Sequence, residues 1–195
     1  MDKMKKLQLA SAITALFLSA NANAAVINVF SDEASWLAAV GSYVTEDFED
    51  LSLQTPFTNY LSFNGSITGG VWDDIINMDE QLATAFNFAP GVYGIGGTWD
   101  LAGPGGPGSG IQVTTLNSTY AIDVIPGTTA GFWGFTIDES VSTMIMSEGT
   151  GSGYQETFTL DNMQMATTLV PVPAAVWLFG SGLVGLVGVA RRKKV

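Results

Sequence analysis

The chain of 195 residues contains no cysteine and no histidine. Those two absences exclude Ser-His-Asp and Cys-His nucleophile systems, and with them zinc and haem sites built on imidazole or thiolate. They also exclude disulfides, so a folded body has to be held by packing or by a hard metal ion. Basic residues are scarce and confined to the ends: Lys3, Lys5 and Lys6 at one, Arg191, Arg192, Lys193 and Lys194 at the other. Between them there is no lysine or arginine, whereas all eighteen acidic residues except Asp2 lie there. A body with seventeen carboxylates and no cation cannot neutralise a phosphate backbone, which excludes nucleic acid as a partner. It has no Arg or Lys clamp for an anionic ligand. Its glycine-rich stretches lack the lysine of a nucleotide-binding loop. The only catalysis this composition permits is carboxylate chemistry, such as glycoside hydrolysis by a pair of acids.

The two ends carry their own signals. Lys3, Lys5 and Lys6 precede a mostly apolar run, Leu7 to Leu18, and then Ala22-Asn23-Ala24. That is the layout of a secretory signal peptide over 1–24, cleaved after Ala24 so that the exported protein starts at Ala25. At the far end, Pro171-Val172-Pro173 interrupts regular structure. An uncharged run from Ala174 to Ala190 follows, with Gly180, Ser181, Gly182, Gly185 and Gly188 forming a small-residue stripe. At about 1.5 Å per residue this run makes a helix of roughly 25 Å, enough for a thin bilayer core. Arg191, Arg192, Lys193 and Lys194 would stop transfer and stay in the cytoplasm.

The Pro-x-Pro element, Trp177-Leu178-Phe179, the glycine-rich span and the Arg-Arg-Lys-Lys end together resemble the PEP-CTERM sorting signal. Val172 stands where the usual signal has Glu. The resemblance implies processing by an exosortase-type protease, transient membrane anchoring through the tail, and delivery to the cell surface or matrix alongside exopolysaccharide. Glu46-Asp47-Phe48-Glu49-Asp50, Gly131-Phe132-Trp133-Gly134-Phe135 and the stretch from Glu156 to Asn162 resemble segments of the ectodomains in that family, and Phe48-Glu49 and Asp161-Asn162 also resemble the first and last strands of jelly-roll carbohydrate-binding modules. In such modules carboxylates on the first and last strands can hold a structural calcium.

The domain plan is therefore a signal peptide (1–24), one body (25–168) and a sorting signal (169–195), with 166–170 as the linker. In the body, Ser31 is the expected cap of a short helix over 32–40, closed by Gly41, with Trp36, Leu37 and Val40 on one face. Short β-rich runs then recur at 43–48, 60–63, 75–78, 83–88, 92–95, 111–116, 120–125, 131–137, 141–146 and 156–161, separated by turn residues such as Asn64-Gly65 and Pro126-Gly127. About ten short strands and one helix predict an all-β, jelly-roll type β-sandwich. Residues 103–110, Gly-Pro-Gly-Gly-Pro-Gly-Ser-Gly, read as a flexible exposed loop.

Two kinds of site are expected. Clustered carboxylates suit calcium, which takes hard oxygen ligands. Asp47, Glu49 and Asp161 form the candidate metal set, and Asp73-Asp74, Asp79-Glu80 and Asp138-Glu139 are further acidic pairs. Flat aromatic faces beside acids suit sugar rings, which points to Trp72 and to Trp99 with Asp100 as a glycan site. Three functions stay open: a non-enzymatic surface or matrix protein associated with exopolysaccharide, a carbohydrate-binding module with a defined site, and a carboxylate glycosidase.

Overall fold

A computed structural model of the chain describes residues 25–77, 83–102, 108–115, 121–149 and 155–170. Twelve strands and one helix follow in the order β1 (Ile27–Phe30), α1 (Glu33–Ala39), β2 (Tyr43–Glu46), β3 (Phe57–Leu61), β4 (Ser66–Thr68), β5 (Val71–Asn77), β6 (Thr84–Phe88), β7 (Gly94–Asp100), β8 (Ile111–Thr115), β9 (Ala121–Ile125), β10 (Ala130–Ile137), β11 (Thr143–Glu148) and β12 (Gln155–Ala166). One sheet runs β1-β10-β7-β12-β5-β4, with β2 also on β12; the other runs β3-β6-β11-β8-β9. β12 is long enough to serve two neighbours on one side. Its first half pairs with β5 and its last residues, Met163 to Ala166, with β2.

From β5 to β12 the chain changes sheet at every step except the β8–β9 hairpin, giving β10-β7-β12-β5 opposite β9-β8-β11-β6. That is the strand order of a jelly roll, the architecture expected from turn spacing. Alternation explains how the sequence fills the space between the sheets. On β12, Phe158 and Leu160 are buried, and on β10, Trp133, Phe135 and Ile137. These meet Phe86, Ile111, Val113, Met144 and Met146 from the opposite sheet in one core.

α1 lies outside the sandwich, on the outer face of the seven-stranded sheet. Its cap is Asp32, whose carboxylate accepts Ser35 N–H at 2.8 Å, one residue later than the expected Ser31. Trp36 is fully buried there with Val40 and Ala166, against Phe30, Leu37, Phe132 and Leu169. The sheet accepts the indole because Gly96 and Gly134, opposite each other in register, present no side chain. A Cβ on Gly134 would stand 2.7 Å from Gly96 Cα and 3.1 Å from Trp36 Cδ1.

Several sequence expectations need correction. The expected run at 92–95 stops short of β7, which continues through Gly96, on which Trp36 lies, and Gly97, which faces Leu160, to Asp100. β1 and β4 had no counterpart in the expected series. Residues 166–170 are not a free linker: Val40 forms a bridge with Leu169, and Val170 N–H donates to Ala39 at 3.0 Å. The end of the expected exposed loop is enclosed, with Ser109 buried and Gly110 N–H bonded to Glu156. Among the described residues no helix is long and apolar enough to cross a membrane. The expected tail, with Pro171, Pro173, Arg191 and Arg192, and the cleavage residues Ala22 and Ala24 lie outside the described residues, as do Asp79 and Glu80.

Candidate functional site

The tryptophans chosen from the sequence do not form a sugar site. Trp72 is 0% exposed and Trp99 1%. Trp72 sits between Tyr60 and Phe86, with ring centroids 4.5 and 5.1 Å away. Trp99 packs against Trp133 and Phe158, and its Nε1–H donates to the Trp133 carbonyl at 3.1 Å. Neither offers a free face for stacking. The reason is strand alternation: each Trp points inward, so the acid that follows it, Asp73 or Asp100, points out. Adjacent in sequence, Trp99 and Asp100 are on opposite sides of the sheet.

The candidate metal set is also not assembled. β2 does pair with β12, but the Asp47 carboxylate accepts Glu49 N–H at 3.2 Å, and Asp161 accepts the N–H of Asn162 at 2.6 Å. The Glu49 carboxylate lies against Gly70. Among the described residues no group of three or more acidic side chains comes together. The neighbouring Glu46, absent from that set, is buried and accepts the N–H groups of Phe48 (2.9 Å) and Gln54 (2.6 Å), bracing the loop after β2. Asp138 accepts Val26 N–H at 2.8 Å.

Asp74 is buried and accepts Ser62 Oγ–H at 3.0 Å, the hydroxyl of Thr84 and Ile75 N–H at 2.7 Å. Burial raises its pKa above the ordinary 3.8, and the bonds from Thr84, Ser62 and Ile75 oppose that rise. This carboxyl is structural: it joins β5 to the end of β3 and to β6.

Once these groups are assigned, the two outer sheet faces differ sharply. On the seven-stranded sheet, beyond the helix, the register places Asp100, Thr159, Asp73 and Ser66 in one row across four strands. Asp161 is opposite Thr98. That face is acidic. The five-stranded sheet carries only two carboxylates in its strands: Asp123, exposed beside the bulge of edge strand β9, and Glu148, which alternation turns inward with Met144 and Met146.

Its outer face is uncharged. One row is Asn59, Asn87 and Thr143; the next is Leu61, Ala85, Ile145, Thr114 and Ala121; a third is Ser147, Gln112 and Val124. The first row is a hydrogen-bonded ladder. Thr143 Oγ1–H donates to Asn87 Oδ1 at 2.8 Å, and Asn87 Nδ2–H to Asn59 Oδ1 at 2.8 Å. Mutual bonding fixes these amides in place and leaves their remaining donor and acceptor positions for a ligand. None of the described elements packs on this face.

At one edge the middle row runs into an apolar end. Leu61 is 67% exposed and Phe63 78%. Tyr60, Leu61, Ser62, Phe63 and Ala83 line a shallow, open depression of about 320 Å³. Phe63 is thus an exposed aromatic beside an uncharged, amide-bearing surface. Sequence reasoning passed over it in favour of the tryptophans. The available signal was its position at the end of the expected 60–63 run, directly before the Asn64-Gly65 turn, where the chain leaves the sheet.

No family model matches the chain, and no curated protein does. Among solved structures it is similar to a single-residue variant of a family 29 carbohydrate-binding module, with 10% identity, 66% of this chain and 94% of that one covered, and a TM-score of 0.44. It is also similar to a family 29 carbohydrate-binding module from Piromyces equi, at 11% identity, 74% and 91% coverage and a TM-score of 0.41. A third is the K2 cleaved adhesin domain of Lys-gingipain, at 11% identity, 64% and 99% coverage and a TM-score of 0.42.

Proposed function

We propose that the protein is a non-catalytic, exported binder of uncharged polysaccharide, and that the outer face of the five-stranded sheet is its contact surface. One observation carries this. In a body with seventeen carboxylates and no basic residue, eleven positions of one open sheet face bear no charge and include a bonded Asn-Asn-Thr ladder. Neutral polymer chains present hydroxyls, which amides and hydroxyls bind, and apolar ring faces, which can lie along Leu61, Ala85 and Ile145. Phe63 at the edge adds a stacking platform. An anionic polymer would be repelled by the acids elsewhere on the body, so uncharged polymers are selected by charge as well as by contact.

The sorting signal read from the tail fits this role. Processing by an exosortase-type protease would deliver the body to the surface or matrix, where exopolysaccharide is at hand. Catalysis is not part of the reading, because the uncharged face holds no pair of acids to cleave a bound chain. The test is co-sedimentation of the purified body with insoluble or gelled polysaccharides, neutral ones against uronic-acid ones at equal salt. Retention on neutral polymers, reduced by Asn87→Ala and by Phe63→Ala, supports the proposal. Retention only on anionic polymers, or retention that both variants leave untouched, refutes it. Release of reducing ends would return the carboxylate glycosidase to consideration.

A further inference from the structure

Three carboxyl groups are fully enclosed in the described fold: Glu46, Asp74 and Glu156. Both oxygens of Glu46 and of Asp74 accept hydrogen bonds. Glu156, at 0% exposure, is different. Its Oε2 accepts Gly110 N–H at 2.5 Å, but its Oε1 is buried without a hydrogen-bond partner. A buried carboxylate oxygen left unpaired is costly and calls for a cause.

A second unpartnered carboxylate oxygen belongs to the neighbouring sheet and is linked to the first through the backbone of residues 110–111. Glu148 Oε2 is also buried and unpartnered. Glu148 is the register partner of Ile111, next to the Gly110 whose N–H binds Glu156, and Gly149 N–H donates to the Gly110 carbonyl at 2.8 Å. Alternation turns Glu148 inward on β11 and Glu156 inward on β12. The two sheets thus each direct one unsatisfied carboxylate oxygen inward on either side of residues 108–111.

Two glycines press against the Glu156 carboxylate. A Cβ on Gly108 would stand 2.5 Å from the Gln155 carbonyl oxygen and 2.7 Å from Glu156 Oε2. One on Gly127 would stand 2.6 Å from the Gly108 carbonyl oxygen and 2.9 Å from Glu156 Oε2. The glycine backbone at 108 and 127, with the Gln155 and Gly108 carbonyls beside it, thus closes on the Oε2 side of the carboxylate, and no residue of the body can supply a positive charge.

We propose that Glu156 and Glu148, with carbonyl oxygens of the glycine turn at 108–110, hold a calcium ion that ties the two sheets together at this end of the sandwich. Two carboxylates with backbone carbonyls and water form an all-oxygen set that suits a hard divalent cation. Protonation is the competing way to neutralise Glu156, whose pKa burial raises. A single proton there would still leave Glu148 Oε2 unpaired, whereas one ion answers both orphans.

The test uses the purified full chain after chelation. Calcium binding is measured by titration calorimetry, and melting is recorded in calcium chloride and in sodium chloride at matched ionic strength. The proposal predicts a calcium-specific rise in Tm. Both Glu156→Gln and Glu148→Gln should abolish that rise and weaken calcium binding at least tenfold. The triple variant D47N/E49Q/D161N should keep both the rise and the affinity. Equal effects of calcium and matched sodium on the native chain overturn the proposal. So does native affinity in Glu148→Gln, a half-buried position whose variant should fold even where Glu156→Gln does not.

Discussion

Replacing Trp36 tests the packing of the helix most sharply, because it is the one fully buried side chain of that element. Trp36 is fully buried on the glycine pair Gly96 and Gly134, its Nε1–H donates to the Phe135 carbonyl at 3.1 Å, and its ring meets Tyr43 and Phe132 at centroid distances of 6.0 and 6.1 Å. Trp36→Ala removes the ring and leaves a cavity between helix and sheet, at a cost of about 3–5 kcal/mol. Trp36→Phe keeps most of the contact and loses mainly the hydrogen bond, for about 1–2 kcal/mol. A domain of this size loses roughly 2–4 °C of Tm per kcal/mol, so Trp36→Ala should melt about 6–20 °C lower. Calorimetry on the exported body measures both. The glycines supply a paired control. A Cβ on Gly134 meets backbone, Gly96 Cα at 2.7 Å and Ile95 O at 2.9 Å, which cannot give way, whereas one on Gly96 meets the edge of the Phe132 ring at 2.6 Å, which can. Gly134→Ala should therefore destabilise more than Gly96→Ala. A Trp36→Ala cost under about 1 kcal/mol would refute the docking argument, since full burial of an indole is worth several times that.

The remaining predictions concern buried carboxyls and export. Burial raises the folded-state pKa of Asp74 above 3.8 and of Glu156 above 4.5, so the folded state holds these protons more tightly than the unfolded one. Their contribution is fully present below the ordinary carboxylate range and is lost as pH rises through the raised values. In chelator, the stability of Glu156→Gln relative to the native chain should accordingly grow from pH 4.5 to pH 7 in denaturant titrations; a gap that narrows contradicts the assignment. Glu46→Ala leaves the buried N–H of Phe48 and the partly buried N–H of Gln54 without their acceptor and should cost about 1–3 kcal/mol, with faster proteolytic nicking between residues 47 and 54. Intact-mass measurement of secreted material should show Ala25 at the N-terminus and no Arg191 to Val195; a mass that retains the basic end contradicts the sorting reading.

Much of the fold could be read from the chain because alternation and turn chemistry are local. The runs at 131–137 and 111–116 closely match β10 and β8, and the jelly roll follows from their number and spacing. What escaped was set by tertiary contact. The run at 92–95 seems to end at Gly96 until Trp36 is laid over that glycine, and Gln155–Ala166 looks short until it is seen to pair with three strands. The site was the least legible part. A Trp followed by an acid suggests a sugar platform, yet in a strand that pair is split between core and surface. The uncharged face exists only as a cross-strand register of Asn59, Asn87 and Thr143, drawn from three distant segments.

The central claim is that this uncharged face binds uncharged glycan, and charge insertion tests it most directly. Asn87→Asp puts a carboxylate in the middle of the ladder with little change in shape, while Asp73→Asn removes one from the opposite, acidic face. Affinity electrophoresis through gels containing a retained neutral polysaccharide gives the dissociation constant of each. The account predicts at least a tenfold loss for Asn87→Asp and native affinity for Asp73→Asn. Native affinity in Asn87→Asp, or a loss that follows Asp73 instead, would contradict it.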